Sequence, residues 1–189
     1  CLAGDVGCRM GPGEQMIRYA FWNSGCTGMV IGGSGGVDSA VAAAFCCRAV
    51  GPERVLGLSL PSAISHRQDC EDAAAVCAML GMEHRIISIE PVLSGFRQIP
   101  GFTATAYELG NLMARVRMAI LYYQANRDHR LVCGTSNRSE YMLGYCTKFG
   151  DNAADIQPIL HLYKSDVYVM ARELAIPDTI ISKPPSAGL

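Results

Sequence analysis

The chain lacks a strong charge of either sign: 16 Lys and Arg against 17 Asp and Glu leave a formal net charge of -1 over 189 residues. Such a balance offers no electrostatic footprint for nucleic acid or for an anionic membrane surface, so neither is expected as a main partner. Any apolar run near the ~18 residues of a membrane span is also missing, and the N-terminal stretch lacks the basic-then-apolar layout of a signal peptide. A cytoplasmic address is the resulting expectation. No C-x-x-C pair is present to begin a zinc or redox site. The nine cysteines are odd in number, Cys46 and Cys47 are adjacent, and the set reads mainly as small buried hydrophobes. What the chain has in quantity is glycine, 20 residues, and apolar side chains, 50% of the total. Together they describe tight turns around a real core, and residues 1–189 read as a single domain.

Hydrophobic periodicity orders this domain. A short apolar strand at Gly28–Ile31 ends in a glycine cluster, and Asp38–Val50 follows as an Ala-rich helix. Gly51-Pro52 breaks that helix, Arg54–Leu60 reads as a buried strand, and Arg67–Leu80 is a helix with Ala74, Val76, Cys77 and Leu80 on one face. A third strand is expected at Glu83–Ile89, a long helix at Glu108–Ala125, a fourth strand at Arg130–Gly134 and a last helix at Lys164–Ala175. In the long helix the tyrosines and methionines read as core or subunit interface. Strands alternating with helices predict an α/β fold, a doubly wound parallel sheet flanked by helices. Ligands of such sheets bind at the carboxyl ends of the strands. The loops Gly32–Ser39 and Gly134–Asp155, after the first and fourth strands, are therefore expected to share one crevice.

The first of these loops, Gly32-Gly33-Ser34-Gly35-Gly36-Val37-Asp38-Ser39, joins a strand to a helix, where free N–H groups and the helix dipole attract phosphate. A Walker A loop requires Lys where this chain has Asp38, and a dinucleotide G-x-G-x-x-G requires glycine there. The hydrolase elbow G-x-S-x-G does match, with Ser34 as nucleophile and His66, His84, His129 or His161 as base. Against it, only about 30 residues precede the loop, and no HGGG-type oxyanion segment is present. A plain glycine turn with a helix-capping aspartate is the structural alternative. The reading that fits every position is a resemblance: SGGVDS is similar to the SGGxDS pyrophosphate loop of the N-type ATP pyrophosphatases. It implies their Rossmann-like architecture and a magnesium ion on Asp38, since a carboxylate beside polyphosphate needs a cation between them.

Later blocks sharpen the resemblance. Asn111–Met118, Gly134–Glu140, Gly144–Asp151, Ala154-Asp155 with Lys164, and Lys183–Ala187 resemble consecutive segments of NAD synthetases, over about Ile17 to Leu189. The resemblance implies ATP-dependent amidation of deamido-NAD to NAD through an adenylate, with ammonia as nitrogen donor and AMP and pyrophosphate released. It implies that Gly32 to Ser39, Thr135, Lys164 and Ser186 contact ATP, and that Asp38 and Glu140 hold Mg2+. By the same resemblance Asp38, Glu140 and Lys164 carry the catalysis, and Arg115, Lys148 and Asp155 hold deamido-NAD. Arg117 carries no such implication and reads as a solvated helix arginine. The family also implies a homodimer and a C-terminal segment beyond Leu189 that closes over the site. Other readings are an adenylating amide ligase for a different carboxylate, the Ser34 hydrolase, and a nucleotide-binding module without catalysis.

Overall fold

In the computed structural model, which describes residues 6–184 and side chains from residue 11 onward, four parallel strands form one sheet in the order β3-β2-β1-β4. The strands are β1 (Gly28–Gly32), β2 (Val55–Ser59), β3 (Glu83–Ile86) and β4 (Arg130–Cys133). β1 lies in the middle, with Met29 in register with Val55 on one side and with Leu131 on the other. Side chains alternate across the pleat, and each face has its own core. On one face Met29, Ile31, Val55 and Cys133 pack against α1 (Val6–Ser24), α2 (Val37–Val50), α3 (Arg67–Leu80) and α7 (Lys164–Glu173). On the other, Val30, Leu56, Leu58 and Val132 meet α4 (Glu90–Arg97) and α5 (Ala106–Arg127). Two short helices complete the order, α6 (Arg138–Leu143) and α8 (Asp178–Ile181). The expected doubly wound sheet is thus present.

Several local expectations are corrected. The third strand stops at Ile86 rather than Ile89, because the chain leaves the ladder once Ile87 N–H has bonded to Ser59 and Ile89 N–H reaches Pro61. In α3 the buried face is Asp72, Ala73, Val76 and Cys77, one residue out of step with the expected Ala74. α5 buries Met113 and Val116 as expected, and of the two places read for its tyrosines, core or subunit interface, the outward-facing Tyr123 does not take the first. Four of the seven described cysteines, Cys46, Cys47, Cys77 and Cys133, are buried as expected, whereas Cys146 is exposed. No described helix is long and apolar enough to cross a membrane.

The strand order places the site. The chain runs from β1 outward through β2 to β3 and then returns to the far side of β1 for β4. The loops leaving β1 and β4 therefore diverge at neighbouring strand ends, the switch point at which parallel sheets open a crevice.

Candidate active site

The glycine loop leaves β1 and is fastened at both ends. Gly33 N–H donates to the Leu58 carbonyl at 2.8 Å, and Ser39 Oγ donates to the Gly36 carbonyl at 2.9 Å. Gly35 has φ of +71°, and a Cβ there would collide with the backbone of Asp69, so α3 lies directly against the loop. Only glycine suits both demands. Ser34 Oγ bonds to Ser39 Oγ at 3.1 Å and accepts from Gly36 N–H at 3.3 Å. Neither partner is a base, which removes the geometry a Ser34 nucleophile requires.

Asp38 sits in the first turn of α2, where two donors from distant parts of the chain converge on its carboxylate. Asn137 Nδ2 donates to one oxygen at 2.9 Å, and the Lys164 ammonium pairs with the other. Asn137 also N-caps α6: its side-chain carbonyl accepts from Glu140 N–H at 3.0 Å, and Glu140 Oε2 accepts from Asn137 N–H at 3.2 Å. This reciprocal box fixes the Glu140 side chain. One fully buried asparagine thereby holds both acids that the sequence singles out. Burial, with the charge of Asp38 next in weight, raises the Glu140 carboxyl above its ordinary value. The charge of Asp38 thus reaches Glu140, and the two acids repel one another. Lys164 opens α7, where a cation opposes the helix dipole, and Asp38 is the anion that offsets this. Its backbone N–H donates to Ser139 Oγ at 3.1 Å, which joins the start of α7 to α6.

The acids suit a hard divalent ion. Two carboxylates match the sparse protein ligation of Mg2+, which takes its remaining ligands from phosphate and water. The described residues hold no cluster of three or more His, Cys, Asp or Glu that would make an all-protein metal cage.

Beside this cluster a cleft of about 400 Å³ opens over the ends of β1, β2 and β4. Gly32, Gly33 and Ser34 form one edge and Gly134 and Thr135 another, so the two loops expected to share a crevice do so. Asp38, Glu140 and Lys164 lie outside the lining of this cleft, in the adjoining cluster. Arg115 and Lys148 are brought together, Arg115 Nε donating to the Lys148 carbonyl at 3.2 Å, with both side chains exposed. Asp155 is held elsewhere: its carboxylate accepts from Val132 N–H at 2.7 Å and from the Tyr122 hydroxyl at 3.2 Å. Neither Arg115 nor Lys148 bonds to it. Ser186 lies outside the described residues.

Three site residues were not singled out by the sequence. Asn137 stood inside a recognised block, but its link to Asp38 crosses 99 residues. Lys183 pairs with Asp69 at 2.8 Å and Asp72 at 2.5 Å and approaches the Gly35 carbonyl at 3.5 Å. Arg117 is not the solvated arginine expected; it is half-buried and lines the cleft, with Nε donating to the Leu60 carbonyl at 3.0 Å. Its spacing from Met113 on α5 was the available signal.

Comparison with known proteins gives a consistent result. The sequence model of the family described as NAD synthase matches residues 12–189. The NH(3)-dependent NAD(+) synthetase of Methanoregula boonei is 70% identical over 188 residues, covering 100% of this chain and 76% of that protein. The protein of the same name from Thermococcus kodakarensis is 49% identical over 166 residues, 88% of this chain and 65% of its own length. The chain thus spans roughly two thirds to three quarters of these curated relatives. Among solved structures, NMN synthetase from Francisella tularensis superposes with a TM-score of 0.91 at 39% identity, over 97% of this chain and 76% of the other. NH3-dependent NAD synthetase from Campylobacter jejuni gives 0.88 at 40% identity, over 95% and 77%.

Proposed function

The chain belongs to the NAD synthase family, and from that premise we propose that it amidates the nicotinate carboxylate of deamido-NAD, with ATP as co-substrate and ammonia as nitrogen donor. The reaction makes a C–N bond. The observation that carries this reading is the convergence of Asp38, Glu140 and Lys164 through Asn137 beside the glycine loop.

A carboxylate resists ammonia because its leaving group would be oxide. Its oxygen must first attack the α-phosphorus of ATP, breaking the bond to the β-phosphate and leaving an acyl-adenylate. Ammonia then displaces AMP and loses a proton. The first step brings two anions together, so catalysis is largely positioning and charge neutralisation. The N–H groups of Gly33 to Gly36 and the N-terminus of α2 suit the departing pyrophosphate. Lys164 can exchange Asp38 for a phosphate oxygen. Thr135, on the opposite edge of the cleft, faces the same nucleotide. Asp38 and Glu140 would hold Mg2+, which when bound supplies positive charge against the phosphates and cancels the repulsion between the two acids. Arg115, Lys148 and Asp155 hold deamido-NAD in this reading, the two cations as a corner for its phosphates, and Asp155 also braces β4 and α5 through Val132 N–H and the Tyr122 hydroxyl. Ser186 belongs to the ATP contacts of the same reading. The protein acts in the cytoplasm as a homodimer in which residues 1–189 form one catalytic unit. The exposed apolar side chains Tyr141, Met142, Leu143, Tyr145 and Phe149 support a subunit contact.

The test is incubation with ATP, Mg2+, ammonium and deamido-NAD while NAD and AMP are followed. Equal formation of both is expected, with Asp38→Asn and Glu140→Gln each about a hundredfold slower or worse. Turnover that persists in either variant would remove the metal role. A second reading is favoured by the similarity to NMN synthetase: the smaller carboxylate counterpart of NMN would be the substrate. Comparing kcat/KM for the two carboxylates decides between them.

A further inference from the structure

Arg117 is the one Arg or Lys side chain lining the cleft among the described residues, and it has no acid of its own. The two aspartates that share the cleft are engaged elsewhere, Asp69 with Lys183 and Asp151 with the Thr147 N–H at 2.6 Å. Burial alone lowers the Arg117 guanidinium from its ordinary value, with no carboxylate raising it back. A guanidinium withdrawn from water without a counter-ion is costly, and such groups collect where a ligand supplies the missing charge. The single bond from Nε to Leu60 leaves the two terminal nitrogens for another partner, and that bond fixes the plane of the fork.

The surroundings indicate which charge. On the same face of α5, Met113, Met118 and Leu121 line the cleft, and Leu60 and Ile64 close it from the β2 side. That apolar wall suits a purine ring. The same wall runs up to the glycine loop, which suits pyrophosphate: the Leu121 side chain lies 3.6 Å from the position a Cβ on Gly32 would take. The phosphate between a nucleoside and a pyrophosphate is the α-phosphate, and Arg117 stands on this wall one helical turn before Leu121, on the approach to the glycine loop.

We propose that Arg117 binds the α-phosphate of ATP through its terminal nitrogens and keeps hold of it in the acyl-adenylate after pyrophosphate has left. This rests on the ligase reading above. It makes Arg117 a direct contact to the group that is transferred, distinct from Lys164 and the glycine loop, which serve the leaving group.

AMP and adenosine differ by this one phosphate, so calorimetric titration of the protein with each isolates the contact. The native protein is expected to bind AMP about tenfold to a hundredfold more tightly than adenosine, the range of a charge-assisted hydrogen bond. Arg117→Gln should erase that preference and leave adenosine affinity unchanged, while Arg117→Lys recovers part of it. Thermal melting of Arg117→Gln and of Arg117→Met, which keeps the apolar stem, monitors folding. An AMP preference that survives in a folded Arg117→Gln overturns the assignment. Equal weakening of AMP and adenosine overturns it too, since Arg117 would then serve the base or the wall. If the native protein binds neither compound, the ligase reading itself fails and this inference falls with it.

Discussion

At the scale of single residues the site is a set of charges that hold one another in place. Asn137 caps α6 and donates to Asp38 at once, so Asn137→Ala removes both links. A loss of about 1–2 kcal/mol is expected in denaturant unfolding, together with slower adenylation. Glu140 has the opposite character, for burial first and Asp38 second raise its carboxyl above 4.5. A carboxyl whose folded value exceeds its unfolded value loses stability as pH rises through the interval between them. Unfolding of Glu140→Gln in the absence of divalent ions should therefore show a relative gain at pH 7 that disappears below pH ~4.5, and added Mg2+ should favour the native protein over the variant. Burial also raises Asp72, but hydrogen bonds from Lys183 and Gln68 outweigh it and hold the carboxyl below its ordinary value. Lys183→Met leaves that mostly buried acid without its cation, and a loss of about 1–3 kcal/mol is expected at neutral pH. The loss should shrink as pH falls through the range in which Asp72 takes up its proton.

At the scale of elements, the glycine loop depends on what presses against it. Gly35→Ala puts a methyl into the Asp69 backbone and forces an alanine to positive φ. Two or more kcal/mol of destabilisation is a reasonable order, roughly the sum of one strained residue and one collision. Thermal melting of the variant with and without ATP checks it, with a reduced shift on ATP addition as the mark of a displaced loop. Legibility differed among the elements for identifiable reasons. β1, β2, β4 and α2, α3, α5 and α7 stood out because each carries a buried face, whereas β3 was read although none of its four residues is buried. The other four helices hid behind their composition: Gly11, Pro12 and Gly13 interrupt α1, Pro91 and Gly95 interrupt α4, and α6 and α8 span six and four residues. A capping box built on Asn137 and Glu140 was readable at α6, but six residues are too few for a period to emerge.

At the scale of the whole molecule, the two cores and the strand order set the rest. Phe45, on α2, is completely buried in the core and packs against α1 at Gly13. Phe45→Ala should cost about 3–5 kcal/mol in chemical unfolding, enough to threaten the fold although the residue is remote from the cleft. The proposed dimer belongs to this scale too: analytical ultracentrifugation is expected to report twice the chain mass, and Leu143→Asp should shift it toward monomer. What the linear order of residues determined by itself was the kind of sheet, the loops that flank its opening and the acids and lysine of the cluster, because periodicity and local motifs are written in neighbouring residues. What only the tertiary structure decided was pairing across distance. Asn137 reaches Asp38, Lys183 reaches Asp69 and Asp72, and Arg117 turns into the cleft rather than outward. Each depends on packing that closes long stretches of chain, and a side chain's partner across such a loop leaves no local trace.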